Sequence, residues 1–145
     1  MTTVDDTGAR LLMAVARLNR WATRHADFDT PPAQARLLSL VEEIGPARIG
    51  DLAAADHCSQ PTMTTQVQRV EAAGWVRRRS DPGDARVALI DVTPAGRAVL
   101  NKVRTARRAT LAPVFDTLSD SERESVARAT ALIERIIARS EEKAD

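Results

Sequence analysis

No apolar run in the sequence approaches the roughly 18 residues a membrane-spanning helix needs, and the N-terminus lacks the apolar core of a signal peptide. The sole cysteine, Cys58, excludes an intramolecular disulfide and suits a reducing compartment, so the cytoplasm is the expected setting. With only two histidines, His25 and His57, the chain shows no zinc-ligand spacing. It has neither a phosphate-cradling glycine loop nor a nucleophile elbow, so no cofactor, no metal site and no enzyme activity are expected. Internal repeats and low-complexity linkers are absent too. What remains is 145 residues, 43% hydrophobic and 28% charged, a composition that fits one folded domain with helical extensions rather than a disordered chain.

Lysine is nearly missing as well: 19 of the 21 cations are arginine, the side chain suited to bidentate contact with phosphates and base edges. The formal charge of +1 hides a segregation. Residues 1–58 balance at −2, residues 59–108 at +6 and residues 109–145 at −3. A basic middle between acidic ends is the pattern of a nucleic-acid contact, although a charged run is often only a solvated face.

Leu11, Val15, Leu18 and Ala22 recur at helical spacing and predict a first helix over 8–25. Thr30-Pro31-Pro32 is a helix-start signal, with Leu37, Leu38, Val41 and Ile44 forming the inward stripe up to Gly45-Pro46. A short extended piece over 47–49 leads to a third helix over 50–56, with Leu52 and Ala53 inward. After the His57-Cys58 turn, Ser59 is placed to cap a fourth helix carrying Met63, Val67 and Val70 on one face. Gly74 stands where a helix end calls for positive φ. Two β-rich runs, 75–79 and 87–92, flank Asp81-Pro82-Gly83-Asp84 and predict a hairpin with an extended tip. Thr93-Pro94 opens a fifth helix with Val99, Val103 and Leu111 on its stripe, and Ser119-Asp120-Ser121-Glu122 has capping-box form ahead of a sixth helix reaching about residue 140. The fold is therefore expected to be mostly α with a small β-wing: a winged helix-turn-helix domain over 31–95, an N-terminal dimerisation helix within 1–30 and C-terminal dimerisation helices over 96–145.

The chemistry of the fourth helix points to DNA. Its free face offers Ser59, Gln60, Pro61, Thr62, Thr64, Thr65, Gln68 and Arg69, with no carboxylate before Glu71. Hydroxyls and amides near a helix N-terminus bond phosphates, and amides read adenine bidentately. In the hairpin, strand alternation sends Arg77 and Arg79 to one face and Arg78 to the other. Arg86, near the tip, has the reach and charge for a narrow minor groove, with Asp84 two residues away to fix it. The competing readings are a solvated polar helix, and a winged-helix module that binds protein instead of DNA.

Residues 59–97 resemble the MarR family of bacterial regulators, through Thr62–Thr65, Arg69-Val70-Glu71, Gly74-Trp75-Val76-Arg77-Arg78, Asp81-Pro82-Gly83-Asp84-Ala85-Arg86 and Val92-Thr93-Pro94-Ala95-Gly96-Arg97. The order of helices extends the resemblance over essentially the whole chain. It implies a homodimeric DNA-binding transcription regulator on a pseudo-palindromic double-stranded operator, usually a repressor released by small phenolic, lipophilic or oxidant signals. In position, Ser59 to Arg69 match the family's recognition helix and Asp84 and Arg86 its wing; Thr65 departs from the arginine many members carry there. The resemblance also implies an effector pocket where the first, second and fifth helices meet the winged body. Arg17, Trp21 and His25 are the candidates for contact with a small aromatic or lipophilic ligand, the alternative being that Trp21 is core or interface and the other two are solvated.

Leu11 on the first helix and Val126, Ile133, Ile136 and Ile137 on the last form apolar stripes with little of the chain left to cover them, which favours a two-fold dimer over a closed monomeric bundle. Such a dimer would space two recognition helices by about one DNA turn, ~34 Å. Cys58, beside a helix N-terminus, reads as a small packed hydrophobe rather than a redox sensor.

Overall fold

A computed structural model describes residues 4–142. The elements run α1 (Val4–His25), α2 (Pro32–Ile44), α3 (Ile49–Ala55), α4 (Gln60–Ala72), β1 (Val76–Ser80), β2 (Ala88–Val92), α5 (Pro94–Phe115) and α6 (Asp120–Glu141). Among the described residues, this is a mostly helical chain with a two-stranded antiparallel wing. The chain divides into two compact units, residues 1–108 and 109–145.

The first unit is built around α2, α3, α4 and the hairpin. Leu37, Leu38 and Val41 from α2, Leu52 and Ala53 from α3, and Met63, Val67 and Val70 from α4 form one buried cluster with Val76, Ile90, Val92 and Leu100. Burial of such side chains is worth roughly 1.5–3 kcal/mol each, so this cluster sets the positions of α4 and the wing. Cys58 is half-buried and packs against the same cluster, as a small hydrophobe does.

Local chemistry explains most of the boundaries. Ser59 caps α4, its Oγ accepting the Thr62 N–H at 3.2 Å, and Gly74 follows α4 with φ of 77°. In the turn between α3 and α4, His57 takes φ of 52°, a left-handed conformation more usual for glycine. Ala47 exchanges both backbone hydrogen bonds with Ile90, at 3.0 and 2.8 Å, which fastens the segment before α3 to the wing.

Some local expectations fail. α1 begins at Val4 instead of residue 8, because no residue over 4–7 breaks a helix. The start of α2 is where Thr30-Pro31-Pro32 places it: Pro31 is the N-cap residue, Pro32 opens the helix, and no side chain bonds the first turn. Ile44, in the last turn of α2, is exposed and does not continue the inward stripe. Trp75 and Val87 lie outside the strands; on α5 the expected Val103 is buried and Val99 packs against the core, joined by Leu100, which lies deeper than either.

One joint ties α4, the wing and α5. Thr93 Oγ1 donates to the Gly74 carbonyl at 2.6 Å and accepts the Gly96 N–H at 3.1 Å, while the Thr93 N–H donates to the Trp75 carbonyl at 3.0 Å. Gly96 is buried there, with no room for a side chain: a Cβ would sit 2.1 Å from the Trp75 carbonyl oxygen.

In the second unit the capping box at the start of α6 forms as expected, with Ser119 Oγ accepting the Glu122 N–H and Glu122 accepting the Ser119 N–H at 2.8 Å. The Ser119 N–H, followed by its hydroxyl, holds the Glu122 carboxyl below its usual value. Val126, Leu132, Ile136 and Ile137 of α6 are exposed, while Ile133 is half-buried.

Candidate nucleic-acid interface

α4 presents its polar residues outward. Ser59, Gln60, Pro61, Thr62, Thr65, Gln68 and Arg69 are exposed and Thr64 is half-buried, opposite the buried Met63, Val67 and Val70. The hydroxyls are not all idle. Thr64 Oγ1 donates to the Gln60 carbonyl at 2.9 Å and Thr65 Oγ1 to the Pro61 carbonyl at 3.1 Å, while Ser59 and Thr62 share a hydroxyl–hydroxyl bond of 2.8 Å. As placed, Thr64 and Thr65 offer a nucleic acid their acceptor lone pairs. Gln60, Gln68 and Arg69 supply amide and guanidinium donors. The side-chain oxygen of Gln66, on the same helix, is buried without a hydrogen-bond partner.

The wing is an antiparallel ladder in which Val76 pairs with Val92, Arg77 with Asp91 and Arg78 with Ile90. Alternation divides the three arginines as expected. Arg78 reaches back to Glu71 at the end of α4 (3.1 Å), while Arg77 and Arg79 lie together on the other face. Both converge on Asp91, at 3.1 and 3.2 Å, a pairing between residues 12 and 14 positions apart that only the strand register creates. Burial pushes the Asp91 carboxyl up, yet the Arg77 and Arg79 guanidiniums together hold it below its usual value.

At the tip Asp84 grips Arg86 with both oxygens, Oδ1 to Nε at 3.1 Å and Oδ2 to Nη2 at 3.2 Å, and Oδ1 also accepts the Arg86 N–H at 3.0 Å. This bidentate fork sets the guanidinium plane and leaves Arg86 exposed. Asp81 does comparable work one turn earlier: Oδ1 accepts the Gly83 N–H at 2.8 Å and Oδ2 pairs with Arg48 at 3.1 Å, fastening the tip to the start of α3. Arg48 and Asp91 are wing-supporting residues that sequence reasoning missed. The register implied by the two β-runs would have exposed Asp91; Arg48, 33 residues from its partner, had no local signal.

The tip carboxylates also set a pH limit. Gly83 N–H and then Arg48 hold Asp81 below 3.8, and the Arg86 side chain and then its N–H do so for Asp84. Their folded-state pKa values lie below the unfolded ones, so their contribution to tip order is complete above about pH 4 and falls away as pH drops through the folded values. Amide exchange at Gly83 and Arg86 is expected to stay protected between about pH 7 and pH 5 and to open only below 3.8. Opening at about pH 6 would show that these carboxylates do not hold the tip.

The ligand candidates lie in series on α1. Trp21 and His25 stack at 5.0 Å between ring centroids with 28° between planes, and His25 Nδ1 lies 2.9 Å from the Trp21 carbonyl oxygen. Arg17, one turn earlier, lines a depression on α1 with Thr7, Arg10, Leu11, Met13 and Ala14. Leu11 is exposed, as are Val126, Ile136 and Ile137.

Comparison with known proteins agrees with this architecture. The MarR family model matches residues 31–88. The chain is 30% identical over 133 residues to the HTH-type transcriptional regulator Mb0904 of Mycobacterium bovis, spanning 88% of this chain and 93% of that protein. It is 32% identical over 93 residues to the HTH-type transcriptional regulator YsmB of Bacillus subtilis, a match that spans 64% of this chain and only 63% of that protein. A MarR family protein from Bacillus stearothermophilus shares the fold, with a TM-score of 0.73 at 24% identity over 93% of this chain and 95% of the other. The chain belongs to the MarR family and is a DNA-binding transcriptional regulator of the winged helix-turn-helix class. No helix among the described residues is long and apolar enough to cross a membrane.

Proposed function

We propose that the protein is a homodimeric repressor that occupies a pseudo-palindromic operator and is released by a small aromatic or lipophilic ligand or a stress signal. The observation that carries the DNA-reading part is α4, packed through Met63, Val67 and Val70 and presenting an exposed face without a carboxylate before Glu71. Within this reading residues 31–95 form the DNA-binding domain, with Ser59 through Arg69 addressing bases and phosphates. Arg77, Arg79 and the Asp84-held Arg86 address the backbone and minor groove. Residues 1–30 and 96–145 supply the dimer through Leu11, Val126, Ile133, Ile136 and Ile137. An effector near Arg17, Trp21 and His25 would act by favouring a subunit separation mismatched to the operator, weakening binding by the difference in its affinity for the two states.

Selection of duplexes from a random pool by the purified protein, repeated with aromatic acids present, tests this reading. A selected inverted repeat whose affinity falls steeply with salt is expected. Arg86→Ala is expected to weaken binding to it by roughly 1–3 kcal/mol, about 5- to 150-fold, in a gel-shift titration. Failure to enrich any sequence, or an affinity indifferent to salt, counts against the proposal.

A further inference from the structure

The outer face of the wing carries an arrangement that phosphate recognition would otherwise demand. Arg77 Nη2 and Arg79 Nη1 converge on a single oxygen, Asp91 Oδ2, at 3.1 and 3.2 Å. Two guanidinium N–H groups closing on one anionic oxygen is the geometry in which arginines hold a phosphate oxygen. The carboxylate lies beneath its partners: the Asp91 side chain is 15% exposed, against 59% for Arg77 and 46% for Arg79. The register places Arg77 directly across from Asp91, while Val76 and Val92 next to them pair on the buried face, so the trio is fixed by the same ladder that anchors the hairpin. The charge of the trio is +1 instead of the +2 that two arginines alone would bring.

We propose that Asp91 stands in the place of a DNA phosphate in the free protein and so restrains sequence-independent binding by the wing. A duplex engages Arg77 and Arg79 only by drawing them away from a carboxylate that is already bonded to both. The affinity that charge alone supplies is thereby held down, and the exposed face of α4 has more say in where the protein binds. The inference rests on the DNA-contact role proposed above for Arg77 and Arg79, and it makes Asp91 a specificity-determining residue although it touches no base.

The test compares four proteins, wild type, Asp91→Asn, Arg77→Gln/Arg79→Gln and the triple variant, by fluorescence anisotropy with a random-sequence duplex over a salt series. Asparagine keeps the shape of aspartate and loses its charge. Asp91→Asn is expected to bind about 3- to 10-fold tighter near 0.1 M salt, with a slope of log affinity against log salt steeper by on the order of 1–2. In the Arg77→Gln/Arg79→Gln background the same change is expected to matter by less than about twofold, because the guanidiniums it releases are gone. Asp91→Ser carries the same expectation should the asparagine variant melt early. Equal or weaker binding by the Asp91 variants, or a gain that persists in full without the two arginines, overturns the inference while leaving the regulator reading intact. A wild type that binds no duplex even at low salt overturns that reading and this inference together.

Discussion

Gly96→Ala is expected to lower the stability of the fold by on the order of 3 kcal/mol, read as a fall in the urea midpoint and the melting temperature. The sign is what makes the experiment informative. Inside an ordinary helix the exchange of glycine for alanine stabilises by about 1 kcal/mol, since alanine loses less backbone entropy. Gly96 lies in the first turn of α5, where the new Cβ would come 2.1 Å from the Trp75 carbonyl oxygen and 3.0 Å from Val92 Cγ1. Relief requires moving either the backbone between α4 and β1 or the helix itself, because the first obstacle is a carbonyl and not a flexible side chain. Thr93 bonds Gly74 and Gly96 at once, so the displacement would also stretch the hydrogen bonds of the joint. A Gly96→Ala variant as stable as the parent would mean that α5 does not approach Trp75 this closely in solution.

The second large effect concerns association. Ile136 and Ile137 are 51% and 50% exposed in the single chain, and Leu11 on α1 is exposed as well. Full burial of an isoleucine is worth roughly 1.5–3 kcal/mol, and a two-fold interface would bury both residues from each copy. Ile136→Glu/Ile137→Glu would set charges in that interface, and a dimer is expected to give way to a species of 15.8 kDa in sedimentation. For the homodimer proposed above, one DNA-binding unit would be left per particle and the gain from engaging two half-sites at once would disappear, an expected loss of about 100-fold or more in operator affinity. A variant that remains dimeric, or a wild type that is itself a monomer at micromolar concentration, would place these isoleucines outside any interface.

How far the molecule could be read from its residues depends on how local the decisive interactions are. Ser59, the Ser119–Glu122 box, Gly74 and the Asp84–Arg86 fork were legible because each is settled by atoms within three residues or by one backbone angle. The inward faces of α3 and α4 were legible from helical periodicity, because both helices lie against one core. The start of α2 was legible as a local feature too, since Pro31 and Pro32 set it by their own backbone geometry without a side-chain bond. Sequence places the hydroxyls of Thr64 and Thr65 on the free face without saying where their protons go. In a helix, however, the carbonyl four residues back lies within reach of a threonine Oγ1, and both spend their proton there. Asp91 and Arg48 were beyond local reasoning, since their partners arrive through strand register and through the packing of the segment before α3 against β2. Of the candidate site, the chemical character of α4 and the wing tip was readable, and the internal pairing of the wing's arginines was not.

A single residue, Thr93, separates β2 from α5, and its hydroxyl reaches the end of α4 as well. The end of α4, the hairpin and the root of the long helix therefore share one hydrogen-bonded junction. A tilt imposed on the root of α5 would bear directly on the end of α4, because one bonded residue and not a loop lies between helix and hairpin.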